Sequence, residues 1–143
     1  MLGILVAILS GALMSLQGVF NEGVTKQTSI WVSASFVQFT AFLFCIAAWL
    51  FTGRDGTFSA LFNIQNKYML LGGIMGALIT YTVIRSMSSL GPAGAVMIIV
   101  TAQILVAYFI ELFGLFGTEK VNFEWSKLLG VALAIGGIIL FKK

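Results

Sequence analysis

The chain has 143 residues, 59% of them hydrophobic and 9% charged, with a mean hydropathy of +1.06. A soluble domain carries roughly 25% charged residues, so too little charge is present to cover a water-facing surface, and the composition points to an integral membrane protein. The net charge of +3 comes without a basic run, which argues against nucleic acid as a partner, and with no His and a lone Cys45 a disulfide framework within one chain and a Cys/His metal site are both excluded.

Five apolar segments follow in order, over residues 2–20, 30–52, 68–90, 92–117 and 123–141. Each is close to the roughly 20 residues that a spanning helix needs. Backbone groups in lipid must be satisfied internally, which favours helices, and the alternation of a barrel strand is absent. The expected fold class is therefore an all-α membrane protein of five transmembrane helices, with residues 1–143 as one integral membrane domain. The first segment has no Lys or Arg before its apolar run, so it reads as a retained helix rather than a signal peptide. Just beyond it, Glu22 and Lys26 stand four apart and read as an exposed pair of little energetic weight.

Trp31 and Trp49 bracket the second segment, about 27 Å apart at helical rise, a spacing that suits two interfacial anchors. Cys45 within it reads as a small packing residue. In the linker 53–67, Phe58, Leu61 and Phe62 fall at helical spacing; this reads as a surface-lying amphipathic turn, with an ordinary loop as the alternative. Gly91-Pro92 separates segments three and four. Proline cannot continue a helix but suits the first turn of the next, which predicts a tight helical hairpin. Before segment five, Asn122 is a candidate N-cap and Trp125 an interfacial anchor.

Five spans place the termini on opposite sides. One side then holds Arg54, Lys67, Lys120 and Lys127; the other holds Lys26, Arg85, Lys142 and Lys143. Orientation follows the Lys/Arg difference between sides, and here that difference is zero. Two readings result: dual topology with an antiparallel homodimer, or a fixed topology settled by the first helix or a partner chain. In the first, one chain is half of a transporter built from an inverted pair.

Polar side chains within spans are costly and mark sites. Gln17 and Asn21 share a face of segment one, Gln38 lies in segment two, Tyr81 and Arg85 are four apart in segment three, and Gln103 is near the middle of segment four. All are placed toward the same half of the membrane, which suggests a water-accessible cavity there. Each also has a plainer reading, as interhelical hydrogen-bonding glue or, for Arg85, as a snorkelling side chain. Glu111 lies in the opposite half and is the only acid inside a predicted span. In an antiparallel dimer it would sit at a depth near the partner's polar groups. Gly72, Gly73 and Gly76 in segment three, and Gly130, Ala134 and Gly137 in segment five, form small-residue faces suited to close helix packing. That packing is either within the chain or across a dimer.

The segments SGALMSLQGVFNEGV, LGGIMGALITYTVIRSMSSLGPAGAVMIIVTAQILVAYFIELFGLFG and WSKLLGVALAIGGIILF together resemble the small five-helix YdcZ-type proteins of the bacterial inner membrane, within the drug/metabolite transporter superfamily. Carrying the resemblance are the Gln17–Asn21 pair, Gly72-Gly73 with Gly76, the Leu90-Gly91 turn, Gln103, Glu111 before Gly114, and the Gly130–Gly137 helix. Ala102 departs from the family pattern, which favours Gly before the fourth-helix Gln. The related small multidrug exporters carry a central carboxylate in helix one, where this chain has Ser15 and Gln17, so their proton coupling does not transfer.

The resemblance implies an exporter of an unidentified small molecule; the charge balance and the converging polar groups add alternating access as an antiparallel homodimer in the lipid bilayer. Gln17, Asn21, Gln38, Tyr81 and Gln103 are its candidate substrate-binding residues. Glu111 and Arg85 are candidates for coupling or for a charged substrate. The alternative is a non-transporting membrane subunit or one half of an obligate heteromeric pair. No nucleophile motif, carboxylate dyad, metal site or cofactor motif argues for an enzyme.

Overall fold

Apolar side chains dominate the outside of the molecule: Leu133 is 76% exposed and Phe44 74%. The computed structural model describes residues 1–54 and 56–141, and among these the regular structure is entirely helical. The helices are α1 (Leu2–Gln27), α2 (Ile30–Phe51), α3 (Gly72–Leu90), α4 (Pro92–Phe113) and α5 (Trp125–Phe141), with 3-10 turns at Phe58–Asn63, Lys67–Leu71 and Leu115–Gly117.

Among the described residues, four spans are long and apolar enough to cross a membrane: Leu2–Gln27, Ile30–Phe51, Lys67–Leu90 and Pro92–Phe113. α5 is equally apolar but has 17 residues, about 26 Å of helix against a hydrocarbon core of about 30 Å. The expected charge balance draws in part on Lys142 and Lys143, which lie outside the described residues. Packing divides the chain into two units, Met1–Ser88 and Ser89–Lys143.

In the first unit, α1 runs seven residues beyond the expected end at Phe20. The extension begins with Asn21 and Glu22, which are buried, and carries the Glu22–Lys26 pair, whose 2.9 Å contact closes one helical turn. This corrects the expectation of an exposed pair, since the Glu22 side chain is only 11% accessible and Lys26 alone reaches out. Two hydroxyls then reverse the chain. Thr28 Oγ1 donates to the Val24 carbonyl at 2.8 Å, satisfying a carbonyl left over at the end of α1. Ser29 Oγ accepts from the Val32 amide at 3.2 Å, capping the start of α2. Only Thr28 and Ser29 separate the helices, so α1 and α2 are antiparallel neighbours.

α2 ends where Gly53 and Arg54 take positive φ, +91° and +57°. The linker 53–67 forms no longer helix. Phe58 leaves it to meet Trp49 edge-on at 5.0 Å, which gives that tryptophan a ring partner beside any interfacial role. α3 begins at Gly72 after a 3-10 turn, rather than at residue 68.

In the second unit, α4 begins as the sequence predicts. Gly91 sits at φ +75° and Pro92 occupies the first turn. The helix stops at Phe113, four residues short of the expected end at Gly117, because Gly114 turns left-handed at φ +63° and its N–H closes onto the Ile110 and Glu111 carbonyls.

The connector is then stitched back along the end of α4. The Thr118 hydroxyl donates to the Leu115 carbonyl at 2.8 Å. The Val121 amide donates to the Glu111 carbonyl at 3.1 Å, and the Glu124 amide donates to the Tyr108 hydroxyl at 2.9 Å. α5 starts at Trp125, so the expected N-cap at Asn122 is not realised. The tyrosine and the connector, rather than a capping asparagine, set where the helix begins.

Two outcomes follow for stability, read as thermal unfolding of detergent-solubilised protein by circular dichroism. Ser29→Ala removes the α2 cap and is expected to cost about 1 kcal/mol. Gly114→Ala forces a Cβ into a left-handed conformation, where it also lies 3.3 Å from Lys120 Cβ. It is expected to cost at least about 1–2 kcal/mol, more than alanine at Gly130, where an added Cβ meets no described atom within 4 Å.

Candidate functional site

The first unit turns a polar stripe inward. Gly18, Asn21, Glu22 and Thr25 are spaced three, four and seven apart, which is one face of α1. Asn21 and Glu22 are 7% and 8% exposed, and Ser33 opposite them on α2 is fully buried. The Ser33 hydroxyl donates to the Asn21 main-chain carbonyl at 3.0 Å. The side-chain amide of Asn21 forms no hydrogen bond among the described residues, and Thr25 Oγ1 is buried without a partner. An unpaired buried polar atom costs about 1–3 kcal/mol, and Thr25 Oγ1 carries that cost here. The acid of this seam is Glu22, whose ion-pair partner among the described residues is Lys26.

α3 closes the unit from another side. Met87 is 2% exposed and its Sδ lies 2.7 Å from where a Cβ at Gly18 would be. A side chain at Gly18 would require the flexible Met87 thioether to shift. Between α2 and α3, Gln38 Nε2 donates to Thr80 Oγ1 at 3.4 Å, and Thr80 in turn donates to the Gly76 carbonyl at 3.0 Å. A Cβ at Gly76 would lie 3.3 Å from Gln38 Nε2. Tyr81 stacks on Trp31 with centroids 4.9 Å apart and planes at 26°, so Trp31 is a stacking partner as well as the interfacial residue expected.

Asn21, Gln38 and Tyr81 thus belong to the first unit, each with its own partner: Asn21 with Ser33, Gln38 with Thr80 and Tyr81 with Trp31. Gln17 is exposed on α1, and Arg85 is exposed one turn beyond Tyr81. Gln103 and Glu111 belong to α4 in the second unit, and both are exposed. At Gly72, Gly73, Gly130 and Gly137 an added Cβ would meet no described atom within 4 Å, so the close packing expected of these small residues is not made within the described chain. Gly76 is the exception, and Ala134 is half-buried.

The second unit holds a cavity of about 500 Å³. Ile104, Ala107, Tyr108 and Glu111 line it from one face of α4; Lys127, Gly130 and Val131 line it from α5. The walls are apolar apart from one carboxylate, one ammonium and the tyrosine. Lys127 Nζ sits 5.2 Å from the centroid of the Tyr108 ring and 4.0 Å from Glu124.

Sequence reasoning missed Gly18, Glu22, Ser33, Tyr108 and Lys127 as site residues. The signal for the first two was available, because the 18-21-22-25 spacing continues a helical face past Phe20. Lys127 was counted only as a surface charge, although it stands three residues before Gly130, on the face that lines the cavity.

The model of the family described as "Putative inner membrane exporter, YdcZ" matches residues 2–140. No curated protein and no solved structure matches the chain. The match takes in the stripe of α1, the α2–α3 contacts and the α4–α5 cavity alike, and the chain, an inner-membrane protein with transmembrane helices, belongs to the YdcZ family.

Proposed function

We propose that the chain is one half of a secondary transporter that exports a small molecule across the inner membrane by alternating access. The observation that carries the reading is the burial of Asn21, Glu22 and Ser33 in a molecule whose large apolar side chains face outward. A bilayer rewards the apolar exterior and penalises the polar interior. A buried polar seam that keeps the Thr25 hydroxyl unpaired supports a substrate pathway over a packing contact.

On this reading each chain is one membrane domain with α5 as a fifth span, and two chains pair in opposite orientations. The equal Lys/Arg count on the two sides supports that pairing. Gln17 and Gln103, exposed on a single chain, join Asn21, Gln38 and Tyr81 along the pathway once a second copy covers them. Glu111 and Arg85 serve coupling or a charged substrate, and Glu22 joins them as the acid nearest the seam. The open faces at Gly72, Gly73, Gly130 and Gly137 are where a second helix can approach closely.

The pairing is tested by single cysteines near each terminus in a Cys45→Ser background. Each terminus should be labelled from both faces of the membrane by an impermeant thiol reagent, and labelling of each from one face alone overturns the inverted pair. The pathway is tested in the same background. Asn21→Cys and Gln103→Cys should react at least about tenfold faster than Leu133→Cys, since thiolate chemistry needs water. Equal, slow reaction at all three positions overturns the reading.

A further inference from the structure

The α4–α5 cavity lies within the second unit and, sharing Glu111 with the proposed pathway, carries chemistry that goes beyond that reading. Its volume of about 500 Å³ falls in the range of about 300–1,000 Å³ typical of small-molecule sites. Its walls are built by helical spacing. Residues 104, 107, 108 and 111 are one stripe of α4, and residues 127, 130 and 131 are one stripe of α5. Gly130 keeps the floor open, because no described atom lies within 4 Å of where its Cβ would be.

Two opposite charges face this apolar space. The Glu111 carboxylate makes no hydrogen bond or ion pair among the described residues; the partners of this residue are to its main-chain carbonyl, from Gly114 and Val121. Lys127 lies beside the Tyr108 ring, a favourable place for an ammonium, and its contact to Glu124 is long at 4.0 Å. Glu124 is itself exposed and accepts from Ser126 Oγ at 3.3 Å. Neither cavity charge is thus fully engaged. The backbone around them is fixed, since the Glu111 carbonyl and the Tyr108 hydroxyl hold the connector.

We propose that this cavity binds a zwitterion, with the ligand's ammonium on Glu111 and its single anionic group, a phosphodiester or carboxylate, on Lys127. A neutral apolar ligand would leave both charges facing hydrocarbon, and a singly charged one would satisfy half of the site. Zwitterionic chemistry reaches such a cavity from two sources, an ethanolamine phospholipid headgroup or a free water-soluble zwitterion.

The test uses the full chain in detergent micelles and titrates three probes by native mass spectrometry. They are phosphatidylethanolamine, phosphatidylglycerol, which lacks the ammonium, and water-soluble glycerophosphoethanolamine. The expected result is a preference for phosphatidylethanolamine over phosphatidylglycerol, which Glu111→Gln reduces about tenfold, the usual worth of one charged hydrogen bond. Lys127→Gln should weaken both lipids. The paired exchange of Glu111→Lys with Lys127→Glu should restore at least part of the preference, which separates lost charge from lost folding. Competition by glycerophosphoethanolamine assigns the site to a free zwitterion, and binding of the lipid alone assigns it to the headgroup in the bilayer. If phosphatidylethanolamine and phosphatidylglycerol bind within twofold of each other, or if Glu111→Gln leaves the preference unchanged, the inference is wrong.

Discussion

The first unit depends on one hydroxyl. Ser33 reaches across from α2 to the Asn21 carbonyl, and both residues are buried. A bond of this kind costs little to make in lipid and much to lose, because the groups freed would face an apolar environment. It fixes the register of α1 on α2. That register puts Gly18 against Met87, lets α3 approach, and so sets where Gln38, Thr80 and Tyr81 meet. Polar contacts supply the specificity here because apolar burial is small: Ala34, Ile84 and Met87 are the buried apolar residues described in this unit.

The second unit solves a related problem differently. α4 and α5 are joined by a connector that forms few bonds of its own, so its amides use the end of α4 as a template. Tyr108 and Glu111 each do two jobs, one toward the connector and one toward the cavity. Their positions, three apart on one face, explain why the loop and the cavity share a border.

Much of this was legible in the sequence. Helix starts match the sequence reading at Ile30, after Ser29, and at Pro92, after Gly91, but not at α3 or α5. Helix ends were read poorly at Phe20, where polar residues follow but the helix continues. Hydropathy marks the edge of an apolar run, while helix length is decided by hydrogen bonding, and Glu22, Thr25 and Lys26 remain good helical residues when their polar atoms find partners or a buried face. For the candidate site, residue type was readable from the sequence and contact was not. Asn21, Gln38 and Tyr81 announced themselves as polar groups in apolar segments, whereas Ser33, Gly18 and Lys127 matter through what they touch, and contact across helices has no signature in one chain.

The two-residue link at Thr28 and Ser29 has a mechanical consequence. With Ser33 pinned to Asn21 beside it, α1 and α2 are held like the arms of tongs joined at one end. A rotation of about 10° about that pivot moves the free end of a helix about 30 Å long by roughly 5 Å, close to the width of a small solute. A small change at the joint would thereby be amplified toward the opposite ends of the arms.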